Sequence, residues 1–333
     1  MPHSHKPAKK AHYMKFPRYR RFKNPPGGIK RKFSLYRRLF FFMRRLFYLP
    51  PTLPESFVVP SQEALLTYYH LEEENTITWL GHSTFLIKLN GKTILTDPFL
   101  TSHASPIPGV GPKRFSPPGL PIADLPRIDM LVVSHDHYDH CDARTIAHLP
   151  NKSDIQVVVP LRLGKLFRKY GYKKKQIHEL DWYETWSHED ITIRALPAYH
   201  YSKRHLFTHN TSLWAAFSIH NHQKKLYFSG DTGYGTLFPE LGDNFGPFDY
   251  ALLSIGSYEP PDFMLAGHLS PEQAVQVGID LRAKTLVAMH WGTLILSDEP
   301  PLEPPLRFYH AAQMAQIPYH GIWILNIGET RKL

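Results

Sequence analysis

Beyond residue 75 the chain alternates short β-branched and aromatic runs with turn residues, the texture of strands separated by tight connections. Runs at 76–80 and 84–89 are followed by Asn90-Gly91, a strong two-residue hairpin signal leading into 92–96. A Pro- and Gly-rich loop over 98–126 precedes apolar strands at 130–134 and 156–159, with helical patterns between them. Further strands are expected around 191–194, 250–254, 285–289 and 322–325, and 214–219 pairs with 225–229 across His220-Asn221-His222-Gln223. A helix starts at Ser270-Pro271, with Ser270 as N-cap, Pro271 in the first turn and Gln273 completing a capping box. Strands alternating with helices predict one α/β domain whose helices cover its sheets.

The first 54 residues have a different texture. At about 100° per residue, a helix over about 33–49 gathers Arg37, Arg38, Arg44 and Arg45 into an arc of about 120°. The opposite face carries Phe33, Leu35, Tyr36, Leu39, Phe40, Phe42, Met43, Leu46, Phe47 and Leu49, while Phe41 and Tyr48 lie on the arginine side. This is the pattern of a helix lying in a membrane interface, and equally of one whose apolar face packs on the body. Charge sharpens the division. Of 39 Lys and Arg, fifteen lie in residues 1–54, where there is no Asp or Glu, so the net charge of +10 conceals a body with 24 basic against 29 acidic residues. We therefore divide the chain into a basic arm, 1–54, and a catalytic domain, 55–333. Such an arm suits an anionic membrane surface or a nucleic acid. Its strongest apolar run ends at Arg44-Arg45 after five residues, against the ~20 a span needs, and no signal-peptide cleavage pattern follows. With a single cysteine, Cys141, no intramolecular disulfide forms. The expected location is the cytoplasmic side of a membrane, as a peripheral protein.

Candidate chemistry concentrates in His135-Asp136-His137-Tyr138-Asp139-His140, directly after an apolar run. Imidazole nitrogens and carboxylate oxygens this dense at a strand end are the ligand set of Zn²⁺ and related ions. The chain has 21 His, so isolated ones such as His103, His178, His188, His209, His220 and His222 carry little weight. His200, Asp231 and His290, however, also stand at or after strand ends, where neighbouring strands of one sheet bring distant ligands together. Cys141 reads as a small packing residue.

Thr96-Asp97-Pro98, the H-x-H-x-D-H segment, a later His, Gly230-Asp231-Thr232-Gly233 and a terminal His290 resemble, in order, the motifs of the metallo-β-lactamase superfamily. The resemblance implies an αββα sandwich with two metal ions at one edge. One ion would be held by His135, His137 and His200, the other by Asp139, His140 and His290, with Asp231 bridging and Asp97 supporting a site histidine from behind. Trp79-Leu80-Gly81-His82-Ser83-Thr84, Gly111-Pro112-Lys113-Arg114-Phe115, Leu180-Asp181-Trp182, Gly246-Pro247-Phe248-Asp249, Ile255-Gly256-Ser257-Tyr258-Glu259-Pro260 and His290-Trp291-Gly292-Thr293 are similar to the N-acyl-phosphatidylethanolamine-hydrolysing phospholipase D family. That narrower resemblance runs from about residue 76 to the C-terminus. It implies Asp231, Asp139 and His268 as catalytic residues, with His268 and Tyr258 at the substrate, although Gly267 stands where a polar neighbour of that histidine is expected.

The function this implies is a phospholipase D-type zinc phosphodiesterase with two Zn²⁺ per chain. It would hydrolyse N-acyl-phosphatidylethanolamine to N-acylethanolamine and phosphatidic acid. Competing readings are another hydrolase on the same site (a nuclease, cyclic phosphodiesterase or lactonase) and a non-catalytic membrane or nucleic-acid adaptor. The adaptor reading is weakened because every expected ligand is in place.

Overall fold

The computed structural model describes Tyr13–Met14, residues 21–32 and residues 53–333. The helix expected over about 33–49 lies outside the described residues. A two-stranded ribbon pairs β1 (Tyr13–Met14) with β2 (Arg21–Phe22). The first large sheet then begins as an antiparallel meander of β3 (Thr76–Gly81), β4 (Thr84–Leu89) and β5 (Lys92–Thr96). Asn90 (φ +47°) and Gly91 (φ +72°) both adopt the left-handed backbone that a two-residue hairpin turn of this twist demands.

The meander continues into parallel neighbours β6 (Met130–Val132), β7 (Gln156–Pro160) and β8 (Ile177–Leu180). The second sheet comprises β9 (Thr185–His188), β10 (Ile191–Leu196), β11 (Ala216–His220), β12 (Lys225–Phe228), β13 (Tyr250–Ser254), β14 (Thr285–Met289) and β15 (Ile322–Trp323). The last strand, β16 (Thr330–Lys332), returns to the first sheet beside β3. Each sheet has seven strands, in the orders β16-β3-β4-β5-β6-β7-β8 and β15-β14-β13-β12-β11-β10-β9.

Successive strand residues point to opposite faces, and both faces of the first sheet are covered. Ile87, Ile94, Val132 and Val158 join the core shared with Ile193, Phe217 and Phe228 of the second sheet. Leu86, Leu95, Leu131, Val157 and Val159 pack the other way, with Ala64 and Tyr68 of helix Ser61–His70, Ile146 and Phe167. Coverage on both faces explains why the central strands read as continuous apolar runs and not as alternation. Helices Leu237–Phe245, Pro271–Asp280 and Glu303–Met314 add Phe238, Leu241, Ala274, Val277 and Phe308 to the second sheet's core. Ser270 caps the middle helix as expected, its Oγ accepting from the Gln273 amide at 3.3 Å while Gln273 Oε1 accepts from the Ser270 amide at 3.1 Å.

The result is the αββα sandwich. Besides the β1–β2 ribbon, three strands of the large sheets were not anticipated from the pattern: β8, β9 and β16. All three are edge strands, and two of them carry His178, Glu179, Ser187 and His188 where a central strand would carry Val or Leu. Edge positions lack apolar neighbours on one side, so the periodic signal fades there. Among the described residues, no helix is long and apolar enough to cross a membrane.

Candidate metal centre

Several strands run out at one rim, and the polar segments following them converge there. Asp97 follows β5, residues 134–140 follow β6, His200 follows β10, Asp231 follows β12 and His290 follows β14. Asp97 (φ +30°), His290 (φ +64°) and His82 (φ +55°), just after β3, hold left-handed conformations unusual for non-glycine residues. Such strain persists where the surroundings over-determine it, and it clusters at functional sites.

The buried Asp97 carboxylate organises the H-x-H-x-D-H turn. Its Oδ1 accepts from the Ser134 amide at 2.6 Å, and its Oδ2 accepts from Ser134 Oγ at 2.5 Å and from His140 Nδ1 at 2.7 Å. With Nδ1 held by Asp97, His140 turns Nε2 inward, 3.2 Å from Asp231 Oδ2 and 3.5 Å from Asp139 Oδ2. His200 is fixed in the same way: its Nδ1 lies 2.8 Å from the Gly267 carbonyl, turning Nε2 inward.

Two sets of ligand atoms result. His135 Nε2 lies 2.9 Å from His137 Nδ1, which lies 3.2 Å from His200 Nε2. Nitrogens sharing a tetrahedral ion at 2.0–2.1 Å are about 3.4 Å apart, so the three stand close to the corners of such a site. In the second set, Asp139 Oδ2 lies 3.1 Å from His82 Nε2 and 3.8 Å from His290 Nε2. Asp231 stands between the sets, its Oδ1 3.2 Å from His290 Nε2 and its Oδ2 3.8 Å from His200 Nε2 and 3.9 Å from His135 Nε2. His82, Asp139, His140 and His290 form one cluster with ligand atoms within 4.8 Å of one another, and His135, His137, His200 and Asp231 form another.

The residues fit cations on two further grounds. His140 Nε2, His290 Nε2 and Asp231 Oδ1 are buried without a hydrogen-bonding partner, a costly state unless a ligand engages them. Burial also opposes protonation throughout, holding His135 and His200 well below the ordinary histidine range. At His290 burial is overcome by Asp231 and Asp139, which raise its pKa to about 9; His140 is likewise raised against burial by the same two carboxylates. Positive charge is thus drawn to where buried Asp231 and half-buried Asp139 stand, the balance a divalent cation supplies.

Every ligand expected from the sequence is in one of these sets, and Asp97 lies directly behind His140. His268 lies at the rim, 12% exposed at its side chain, with Nδ1 3.7 Å from Asp231 Oδ2. Tyr258 is placed otherwise: its buried hydroxyl donates to Glu303 Oε1 at 2.8 Å, and the Arg307 guanidinium covers its ring. His82, which in the sequence is only one member of the string at 79–84, also joins the site. Its ring centroid is 4.1 Å from that of His290, and burial, reinforced by His290, lowers its pKa to about 3. His82 carries the same mark in the sequence as the other rim residues, a polar residue after an apolar strand.

A profile of the β-lactamase superfamily domain matches residues 92–291. The chain belongs to that superfamily. An uncharacterised protein of Mycobacterium tuberculosis is 40% identical over 242 residues, covering 71% of this chain and 64% of that protein. N-acyl-phosphatidylethanolamine-hydrolysing phospholipase D 1 of Caenorhabditis elegans is 40% identical over 234 residues, covering 68% of this chain and 66% of that protein. The alignments thus span just under two thirds of each relative. The fold is that of a metallo hydrolase from Ignicoccus hospitalis, with TM-score 0.58 and 20% identity over 78% of this chain and 98% of that one.

Proposed function

We propose that this superfamily member is a two-zinc phosphodiesterase of phospholipase D type, acting on N-acyl-phosphatidylethanolamine. The observation carrying this reading is the position of Asp231, one carboxylate facing two separate clusters of nitrogen and carboxylate ligands. That arrangement suits a pair of ions. The Caenorhabditis relative supports the choice of substrate.

In this reading His135, His137 and His200 hold one ion, Asp139, His140 and His290 the other, and Asp231 both. Ions held there would lower the pKa of a nearby water and offset charge on the phosphoryl oxygens. Asp97 keeps His140 in the tautomer whose Nε2 lone pair faces inward, and the Gly267 carbonyl does the same for His200. His268 is held neutral at physiological pH, its pKa lowered by burial to about 4 despite the pull of Asp231. A neutral imidazole has one N–H donor and one lone pair, so at the rim it can orient the phosphate or pass a proton to the departing alkoxide. Water oxygen bonds to phosphorus, the bond from phosphorus to the ethanolamine oxygen breaks, and the water proton leaves with that oxygen. Phosphatidic acid and an N-acylethanolamine result. We further propose that the basic arm brings the domain to an anionic membrane on its cytoplasmic side.

The test is zinc-loaded protein assayed side by side on N-acyl-phosphatidylethanolamine vesicles, RNA and a panel of lactones. Release of N-acylethanolamine, with the other substrates untouched, is the expected result. Turnover of RNA or lactone alone transfers the site to the competing hydrolase readings.

A further inference from the structure

Residues 21–32, within the N-terminal arm, lie against the metal centre. Phe22 is buried; its amide donates to the Asn210 carbonyl at 2.9 Å, and its own carbonyl accepts from Asn210 Nδ2 at 3.2 Å. Two residues on, Asn24 Oδ1 accepts from the backbone amide of His200 at 2.9 Å and from Trp214 Nε1 at 3.1 Å. The Pro26 carbonyl accepts from the Tyr199 hydroxyl at 2.8 Å. Gly28 forms a bridge with Gly235, and a Cβ on Gly28 would stand 2.5 Å from the Tyr199 ring, too close for any side chain.

The segment it grips is the one carrying His200. From the other side, Thr232 Oγ1 accepts from the Tyr199 amide at 3.0 Å, and the Tyr199 carbonyl accepts from the Gly233 amide at 2.8 Å. The backbone at 199–200 is therefore clamped between this strap and the turn that bears Asp231. The strap also forms one wall of a cavity of about 430 Å³ that reaches His200 and Tyr201.

We propose that Asn24 is a positioning residue of the metal centre: its side-chain oxygen sets the backbone from which His200 reaches the ion shared with His135 and His137. The inference rests on the metal-centre reading above. His200 has its ring fixed by Gly267 and its backbone fixed by Asn24, and neither bond substitutes for the other, since one sets ring orientation and the other sets where the ring starts. The strap lies outside the span matched by the superfamily profile, so the catalytic unit reaches further towards the N-terminus than that span. Removing residues 1–54 would then injure the metal centre as well as any membrane contact.

The test uses the full chain, with zinc bound competitively against a chromophoric chelator. Wild type is expected to hold two zinc equivalents. Asn24→Ala should weaken one equivalent by about 10–100-fold, the usual effect of losing a ligand's support. Asn24→Asp keeps an acceptor oxygen and should stay within a few-fold of wild type. Urea unfolding of the metal-free proteins should change far less than the zinc affinity. If Asn24→Ala fails to fold, Tyr199→Phe drops only the bonds of that hydroxyl, the one to the Pro26 carbonyl among them, and should weaken the same equivalent by a few-fold. Unchanged zinc affinity in the folded variant overturns the inference, as does equal weakening of both equivalents with a parallel loss of metal-free stability. Wild type that binds no zinc overturns the metal-centre reading itself, whereas two zinc in wild type with an unaltered variant overturns the role of Asn24 alone.

Discussion

Asp97 offers the sharpest test of how the metal centre is built, because its carboxylate is fully buried and accepts three short bonds from two residues. Asp97→Ala leaves the Ser134 amide and His140 Nδ1 without their acceptor. Each stranded donor costs about 1–3 kcal/mol. Breaking a buried charged pair costs about 3–5 kcal/mol overall, which we take as the expected loss of metal-free stability. Asp97→Asn separates stability from ligation. If the amide nitrogen faces His140, Nδ1 must become the acceptor and Nε2 takes the proton, so the lone pair facing Asp231 is lost. If the amide is turned round, its nitrogen meets the Ser134 amide, donor against donor. Either way His140 is a poorer ligand, and zinc affinity at its site should fall by about 10–100-fold, or about 1.4–2.7 kcal/mol. The assay pairs urea denaturation of metal-free protein with zinc competition. The expected order of metal-free stability is wild type, then Asp97→Asn, then Asp97→Ala, with zinc affinity already impaired in Asp97→Asn. Zinc binding by Asp97→Asn within two-fold of wild type would refute the tautomer argument.

Elemental analysis after zinc reconstitution should give about two ions per chain, and His135→Ala or Asp231→Asn should lower it; a metal-free yet fully active wild type would sink the reading. His268→Ala should lower turnover with metal content unchanged, whereas metal loss would make His268 a ligand. His82→Ala should weaken the ion held by Asp139, His140 and His290, because Asp139 loses its 3.1 Å neighbour, but less than His290→Ala does; equal effects would make His82 a ligand in its own right. Exchanging Arg37, Arg38, Arg44 and Arg45 for Gln should reduce adsorption to anionic vesicles by about 1 kcal/mol per charge at low salt. Equal adsorption of variant and wild type, measured by sedimentation, would favour an arm whose apolar face packs on the body.

The central strands, the capping box at Ser270, the Asn90-Gly91 turn and the seven His and Asp residues that converge at the rim were legible in the sequence, because each is written in local chemistry. Continuous apolar runs mark strands buried on both faces, a side-chain oxygen three residues from an acceptor marks a helix start, and donor-rich turns after strands mark a sheet rim. Edge strands β8, β9 and β16 are fainter in the sequence because each has an open side without an apolar neighbour, even where, as for β9 and β10, the partner is the next strand in the chain. His82 and Tyr258 show the same limit from two sides. Both sit in strings that resemble a family, yet only the packing of β3 against the rim brings His82 beside Asp139, while Tyr258 turns towards Glu303. Asn24 is the extreme case: it is 176 positions from His200 in a Pro- and Gly-rich stretch, and no periodicity connects them. The sequence determined which residues can bind metal and which segments can pair. Only the tertiary structure decided which side chains share a site, because contact between distant residues is set by how the sheets and their returning loops pack, and local composition does not record it.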